Sequence, residues 1–118
     1  DKEYILKRIK IMIDINDKNF GEMIKSTDKM VLVDFWAEWC GPCRQLAPAL
    51  EDASNDLQDK IEVFKINIDE NPETPSRFSV RGVPTILFFK NGELVNRQVG
   101  VLPKSKLYEK IEDVYFNS

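Results

Sequence analysis

Histidine is absent from the 118 residues, and cysteine occurs only twice. Without histidine, no Ser-His or Cys-His nucleophile pair and no imidazole metal ligand can be assembled. Two cysteines cannot supply a four-thiolate zinc site within one chain, nor the several bridges of a disulfide scaffold. Glycine (5) and proline (6) are too few for a collagen-like or linker-like chain. No apolar run approaches the roughly 18 residues that mark a membrane-spanning helix. Seventeen Lys and Arg against twenty Asp and Glu leave a net charge of −3, without the basic excess that nucleic-acid modules carry.

What remains is an ordinary globular composition, 42% hydrophobic and 31% charged, at a length that suits one domain. Residues 1–8 (DKEYILKR) are charged, lack a clear period and read as an N-terminal extension; residues 9–118 read as the domain. Ile9, Ile11, Ile13 and Ile15 alternate with Lys10, Met12 and Asp14, as in a half-buried strand. Asn16-Asp17 is a helix-capping signal, and Phe20, Met23 and Ile24 extend a short helix to about Thr27. Met30 to Trp36 is an apolar, β-branched and aromatic run, as in a strand buried on both faces.

Pro42 suits the first turn of a helix that continues to Leu57, with Pro48 expected to kink it. Ile61 to Ile68 is the next strand, and Pro72 and Pro75 mark a loop with a short helix. Thr85 to Lys90, Asn91-Gly92 and Glu93 to Val99 read as a hairpin. Ser105 to Phe116 is a last amphipathic helix. The first two β-α-β connections imply parallel strands; the third is too broken by proline to assign. An α/β fold follows, a mixed sheet of about five strands with helices on both faces.

Trp39-Cys40-Gly41-Pro42-Cys43 lies at the junction of the buried strand and the long helix. Residues three apart on a helix share a face, so Cys40 and Cys43 can meet. A helix N-terminus offers unpaired N–H groups and the positive end of the dipole, both of which stabilise a thiolate. A disulfide closing so short a loop gains only about 2 kcal/mol of loop entropy, a poor return for a structural staple. Two bland alternatives stand beside the redox one: a buried structural thiol pair, or half of a zinc site completed by a second chain. The C-x-x-C spacing after a strand in a βαβ pattern favours redox chemistry. Asp34 is the other unusual residue, a carboxylate inside an apolar strand, where an unpaired buried charge costs several kcal/mol. Solvent access at the strand end is its alternative.

The stretch from Asp34 to Cys43, with Ala47-Pro48, Lys65, Asp69, Arg81-Gly-Val-Pro-Thr85, Phe89-Lys-Asn-Gly92 and Gly100, resembles the thioredoxin family from about Ile9 to Phe116. The Trp-Cys-Gly-Pro-Cys box is a highly specific part of that likeness. Arg44 stands where the family commonly has lysine. The resemblance implies a thioredoxin fold, a mixed five-stranded sheet with four helices packed on both faces. It implies a protein disulfide reductase in which Cys40 attacks from the exposed end of the pair and Cys43 resolves the mixed disulfide. It places Asp34 beneath Cys43 for proton transfer, with Lys65 as its partner. It further implies a cis Val83-Pro84 bond facing the cysteines, and a docking surface of Trp39, Gly41, Pro42, Gly82, Val83, Pro84, Gly100 and Val101. Trp36 is expected to pack in the core against the active-site turn.

The same resemblance implies no bound cofactor, since the redox-active Cys40-Cys43 disulfide carries the electrons. These come from NADPH through a thioredoxin reductase, and peroxiredoxins are among the expected substrates. Two other functions compete with this one. Oxidising relatives commonly carry a histidine between the cysteines, which this chain lacks. A non-catalytic subunit of a larger assembly would dock through residues 1–8. The compartment is open: a chain that begins at Asp1 is compatible with the cytoplasm or with removal of an organellar or secretory targeting segment.

Overall fold

The computed structural model describes residues 12–117. The expected extension 1–8, and Ile9 and Ile11 of the first strand, lie outside them. Five strands form one sheet: β1 (Met12–Asp14), β2 (Met30–Trp36), β3 (Ile61–Asn67), β4 (Thr85–Lys90) and β5 (Glu93–Val99). Four helices are present among the described residues: α1 (Phe20–Met23), α2 (Gly41–Asp56), α3 (Glu73–Arg77) and α4 (Lys104–Asn117). The spatial order is β1-β3-β2-β4-β5. β1, β3 and β2 run parallel, while β4 is antiparallel to both β2 and β5. The proline-rich third connection therefore reverses the chain, which its sequence pattern did not reveal.

Alternation along the strands divides the core. Leu32, Val63, Ile86 and Phe88 meet Leu46, Leu50 and Ala53 of α2 and Leu107, Ile111 and Val114 of α4. On the other face, Val31, Val33, Phe35, Phe64, Leu87 and Phe89 meet Phe20 of α1, with Phe78 and Val80 packed against them. Phe20, Phe78 and Phe89 form a triangle of rings with centroids 5.4–5.7 Å apart. Burying one such large side chain contributes about 1.5–3 kcal/mol, so both faces hold the sheet firmly.

Asn91 and Gly92 both adopt positive φ, 52° and 81°, as a tight two-residue hairpin requires. α1 is shorter than its sequence pattern suggests. Asn16 and Asn19 exchange backbone-to-side-chain hydrogen bonds of 2.8 and 2.9 Å, which turns the chain before Phe20. Asp17 does not cap α1; its carboxylate accepts the backbone N–H groups of Glu73 and Thr74, at the start of α3. α2 runs unbroken through Pro48, which has no N–H to offer the Arg44 carbonyl.

Candidate active site

The site grows out of the C-terminal end of β2 and the N-terminal end of β4, neighbours in the sheet through the Phe35–Thr85 pair. Beyond Trp36 the chain turns, with the Cys40 N–H bonded to the Ala37 carbonyl at 3.2 Å. Cys40 is the N-cap of α2, in extended conformation, and its Sγ accepts the Cys43 N–H at 3.1 Å. One orphan donor of the helix start is thus satisfied by sulfur, the arrangement that stabilises negative charge there. Cys40 and Cys43 are joined by a disulfide, with their Cα atoms 5.3 Å apart.

Burial does not distinguish the two cysteines in the expected way. Cys40 is 3% and Cys43 5% exposed, so Cys40 is no more open than its partner. Surroundings distinguish them instead. The Cys40 sulfur lies 3.6 Å from the Val83 carbonyl oxygen, on the side of the docking residues. Cys43 faces inward, onto a cavity of about 250 Å³ that Asp34, Trp36, Ala47 and Lys65 also line.

The Val83-Pro84 bond is cis. Its loop is tied down by Gly100 N–H to the Pro84 carbonyl at 2.9 Å and by the Thr85 hydroxyl to the Gly82 carbonyl at 2.6 Å. Around the cysteines, Trp39, Gly41, Pro42 and Gly82 are exposed and Val83, Gly100 and Val101 half-buried, while Pro84 is buried. Trp39 is 67% exposed, yet its indole N–H is anchored on Asp69 at 2.9 Å. Arg44 donates from its guanidinium to the Glu38 carbonyl, bracing the turn from the other side.

Asp34 is buried, 4% exposed, on the face of the sheet that α2 covers. One carboxylate oxygen, Oδ1, has no hydrogen-bond partner. Burial pushes its pKa up to about 7, against the opposing pull of the Lys65 ammonium. Lys65 is Asp34's neighbour on β3, but its Nζ is 3.8 Å from Asp14 and 5.1 Å over the Trp36 ring. Among the described residues no ion pair within 4.0 Å joins Lys65 to Asp34. Trp36 is half-buried against the cysteine cluster, with its indole N–H unpartnered. A buried carboxyl that changes charge near neutrality and lines the same cavity as Cys43 can take or return a proton there.

Two contacts of the site were not visible in the sequence. The Trp39–Asp69 bond spans two loops, and only the resemblance singled out Asp69. The Asp14–Lys65 contact depends on strand register, which alternation alone does not supply. Among the described residues there is no cluster of three or more metal-ligating side chains and no helix long and apolar enough to cross a membrane.

Comparison with known proteins agrees with this geometry. The family model described as Thioredoxin matches residues 11–113. A thioredoxin of Rhodospirillum rubrum is 54% identical over 86% of this chain and 97% of its own length. A thioredoxin of Rickettsia bellii is 50% identical over 85% of this chain and 95% of its own. A chloroplastic M-type thioredoxin of Pisum sativum is 44% identical over 83% of this chain and 57% of its own. With its paired cysteines at the head of α2, the chain belongs to the thioredoxin family and is a protein thiol–disulfide oxidoreductase.

Proposed function

We propose that the chain works in the reducing direction, with Cys40 as the attacking sulfur and Cys43 as the resolving one. The observation that carries this is the asymmetry of surroundings: Cys40 Sγ is the helix N-cap beside Val83, whereas Cys43 lines the Asp34 cavity. In the dithiol form, the Cys40 thiolate attacks one sulfur of a target disulfide. The target's S–S bond breaks, its other sulfur leaves as a thiolate, and a Cys40–target disulfide forms. Cys43 then gives its proton to the Asp34 carboxylate and attacks the Cys40 sulfur. The mixed disulfide breaks, the second target thiolate leaves, and the Cys40–Cys43 bond forms. Two electrons have passed from the dithiol to the target.

An extended target segment lies across Trp39, Gly41, Pro42, Gly82, Val83, Pro84, Gly100 and Val101, pairing with Val83 as an added strand would. Lys65 favours the ionised form of Asp34. The oxidised pair is returned to dithiol by a thioredoxin reductase drawing on NADPH, and peroxiredoxins are among the targets. Residues 9–118 form the working domain and residues 1–8 a separate extension, a division supported by a family match that begins at residue 11.

The test is trapping. A reduced Cys43→Ser protein should accumulate a stable mixed disulfide through Cys40 with a disulfide-bonded insulin or oxidised peroxiredoxin substrate, seen by non-reducing electrophoresis and mass spectrometry. A Cys40→Ser protein should form none. Adducts through Cys43 in the Cys40→Ser protein would reverse the assignment.

A further inference from the structure

Three charged residues stand side by side across three strands. Asp14 of β1 is in register with Lys65 of β3, and Lys65 is in register with Asp34 of β2. Directly paired residues share a face, and adjacent strands are roughly 4.8 Å apart, so the three form a lateral row of charges, minus, plus, minus. The row runs from solvent to core: the Asp14 side chain is 75% exposed and that of Lys65 31%, whereas Asp34 is 4% exposed as a residue. The ammonium is not centred. It lies 3.8 Å from the Asp14 carboxylate, and Asp34 Oδ1 is left without a hydrogen-bond partner.

We propose that Asp14 is a positioning residue for the reaction: by holding Lys65 at the outer end of the row, it sets the pH at which Asp34 takes up its proton. The inference rests on the role given to Asp34 above. Other charged or titratable groups facing the cavity are Cys43, Arg44 and Glu51 of α2 and Glu38 of the preceding turn. β4, the strand on the other side, places only Ile86 beside Asp34. Lys65 is therefore the one cation in register with Asp34, and Asp14 is its competitor for that cation.

Both effects of Asp14 have the same sign. Its own negative charge disfavours a second carboxylate in the row, and its hold on Lys65 keeps the compensating charge away. Replacing Asp14 by asparagine removes both, so Asp34 ionises at lower pH. For a largely exposed pair the shift is roughly half a pH unit.

The Asp34 carboxyl is to be titrated by carbon-13 NMR in the oxidised protein, and the rate of mixed-disulfide resolution followed across pH in the reduced protein. In Asp14→Asn both midpoints should fall together, and in Asp14→Glu they should return towards the wild-type value. In a Lys65→Met background, adding Asp14→Asn should move the midpoint much less. In the wild-type protein, added salt should screen the exposed pair and move the midpoint the same way, a check that needs no variant to fold. An unchanged or raised NMR midpoint in Asp14→Asn overturns the proposal, as does an equal shift with and without Lys65. If the NMR midpoint falls while the kinetic profile stays put, the coupling along the row stands and the catalytic role of Asp34 falls.

Discussion

Asp17 and Thr74, fifty-seven positions apart, are joined twice: one carboxylate oxygen of Asp17 accepts the Thr74 hydroxyl at 2.6 Å and the Thr74 backbone N–H at 2.9 Å. The loop after β1 thereby supplies the cap that α3 lacks, since the Pro72 ring at its N-cap carries no hydrogen-bond acceptor. Asp17→Ala should cost about 1–2 kcal/mol, read as a fall in denaturation midpoint. Partial burial pushes the Asp17 carboxyl up, but the bonds from Thr74 and Glu73 outweigh it and hold the pKa below the usual 3.8. A depressed folded-state pKa means stability that is present above the unfolded value and lost as the pH falls through the folded one. The gap between wild type and Asp17→Ala should therefore close on acidification.

Asp34 behaves in the opposite sense. Its folded-state pKa is raised from 3.8 to about 7, so the folded form binds the extra proton between those values. Stability from this group is complete below the unfolded pKa and is lost as the pH rises through the folded one. Asp34→Asn removes a buried charge worth on the order of 4 kcal/mol at full ionisation, offset in part by the amide's own unmet hydrogen bonds. Melting temperature should rise by several degrees near pH 8.5 and hardly at all near pH 4. Resolution of the mixed disulfide should slow by roughly 10²-fold at neutral pH, measured by single-turnover quench. A variant that is both unstabilised at alkaline pH and fast would show that Asp34 is neither desolvated nor in the proton path.

How much of this was legible beforehand follows from the range of the forces involved. β2 announced itself because a strand buried on both faces must be apolar throughout, and the one residue that broke the rule, Asp34, pointed to chemistry. The β4–β5 turn was equally plain, since only a pair such as Asn91-Gly92 tolerates two successive positive φ values. That Cys40 and Cys43 can meet is legible because their geometry is local to one helical turn. Asn16-Asp17 reads as a cap for α1, whereas Asp17 serves α3, because a cap looks the same in sequence whether it serves the next helix or one fifty-seven residues on. The grip of Asp14 on Lys65 was invisible because alternation tells which face a residue takes, not which residue it meets.

Trp39 presents a broad ring at the edge of the site while its indole N–H is held by Asp69 at 2.9 Å. Asp69→Ala should leave stability almost unchanged, within about 1 kcal/mol, because the bond is solvent-exposed. Freed of its anchor, the ring should cost docking rather than chemistry. KM for a protein disulfide should rise severalfold while kcat moves little, and Trp39 fluorescence anisotropy should drop. An effect on kcat alone would argue that Trp39 touches the reacting sulfurs and not the target backbone.

Gly100 has φ +88°, and a Cβ built there would meet nothing within 4 Å. The cost of Gly100→Ala is therefore conformational and not steric crowding, about 1–2 kcal/mol. Because the Gly100 N–H holds the Pro84 carbonyl, strain at this point should also loosen the loop beside Cys40. Amide hydrogen exchange at position 100 should rise in the variant. Unaltered exchange with a full loss of stability would place the strain elsewhere in the β5–α4 connection.

The cavity shared by Asp34 and Cys43 makes electron and proton affinity two faces of one equilibrium. Closing the disulfide removes a titratable thiol from the lining of the cavity that holds the carboxyl, and opening it restores one. Each redox state therefore sees a differently charged cavity, and Asp34 must answer with a different proton affinity in each. By linkage, the midpoint potential plotted against pH must bend where Asp34 titrates, and the bend must vanish when residue 34 can no longer ionise.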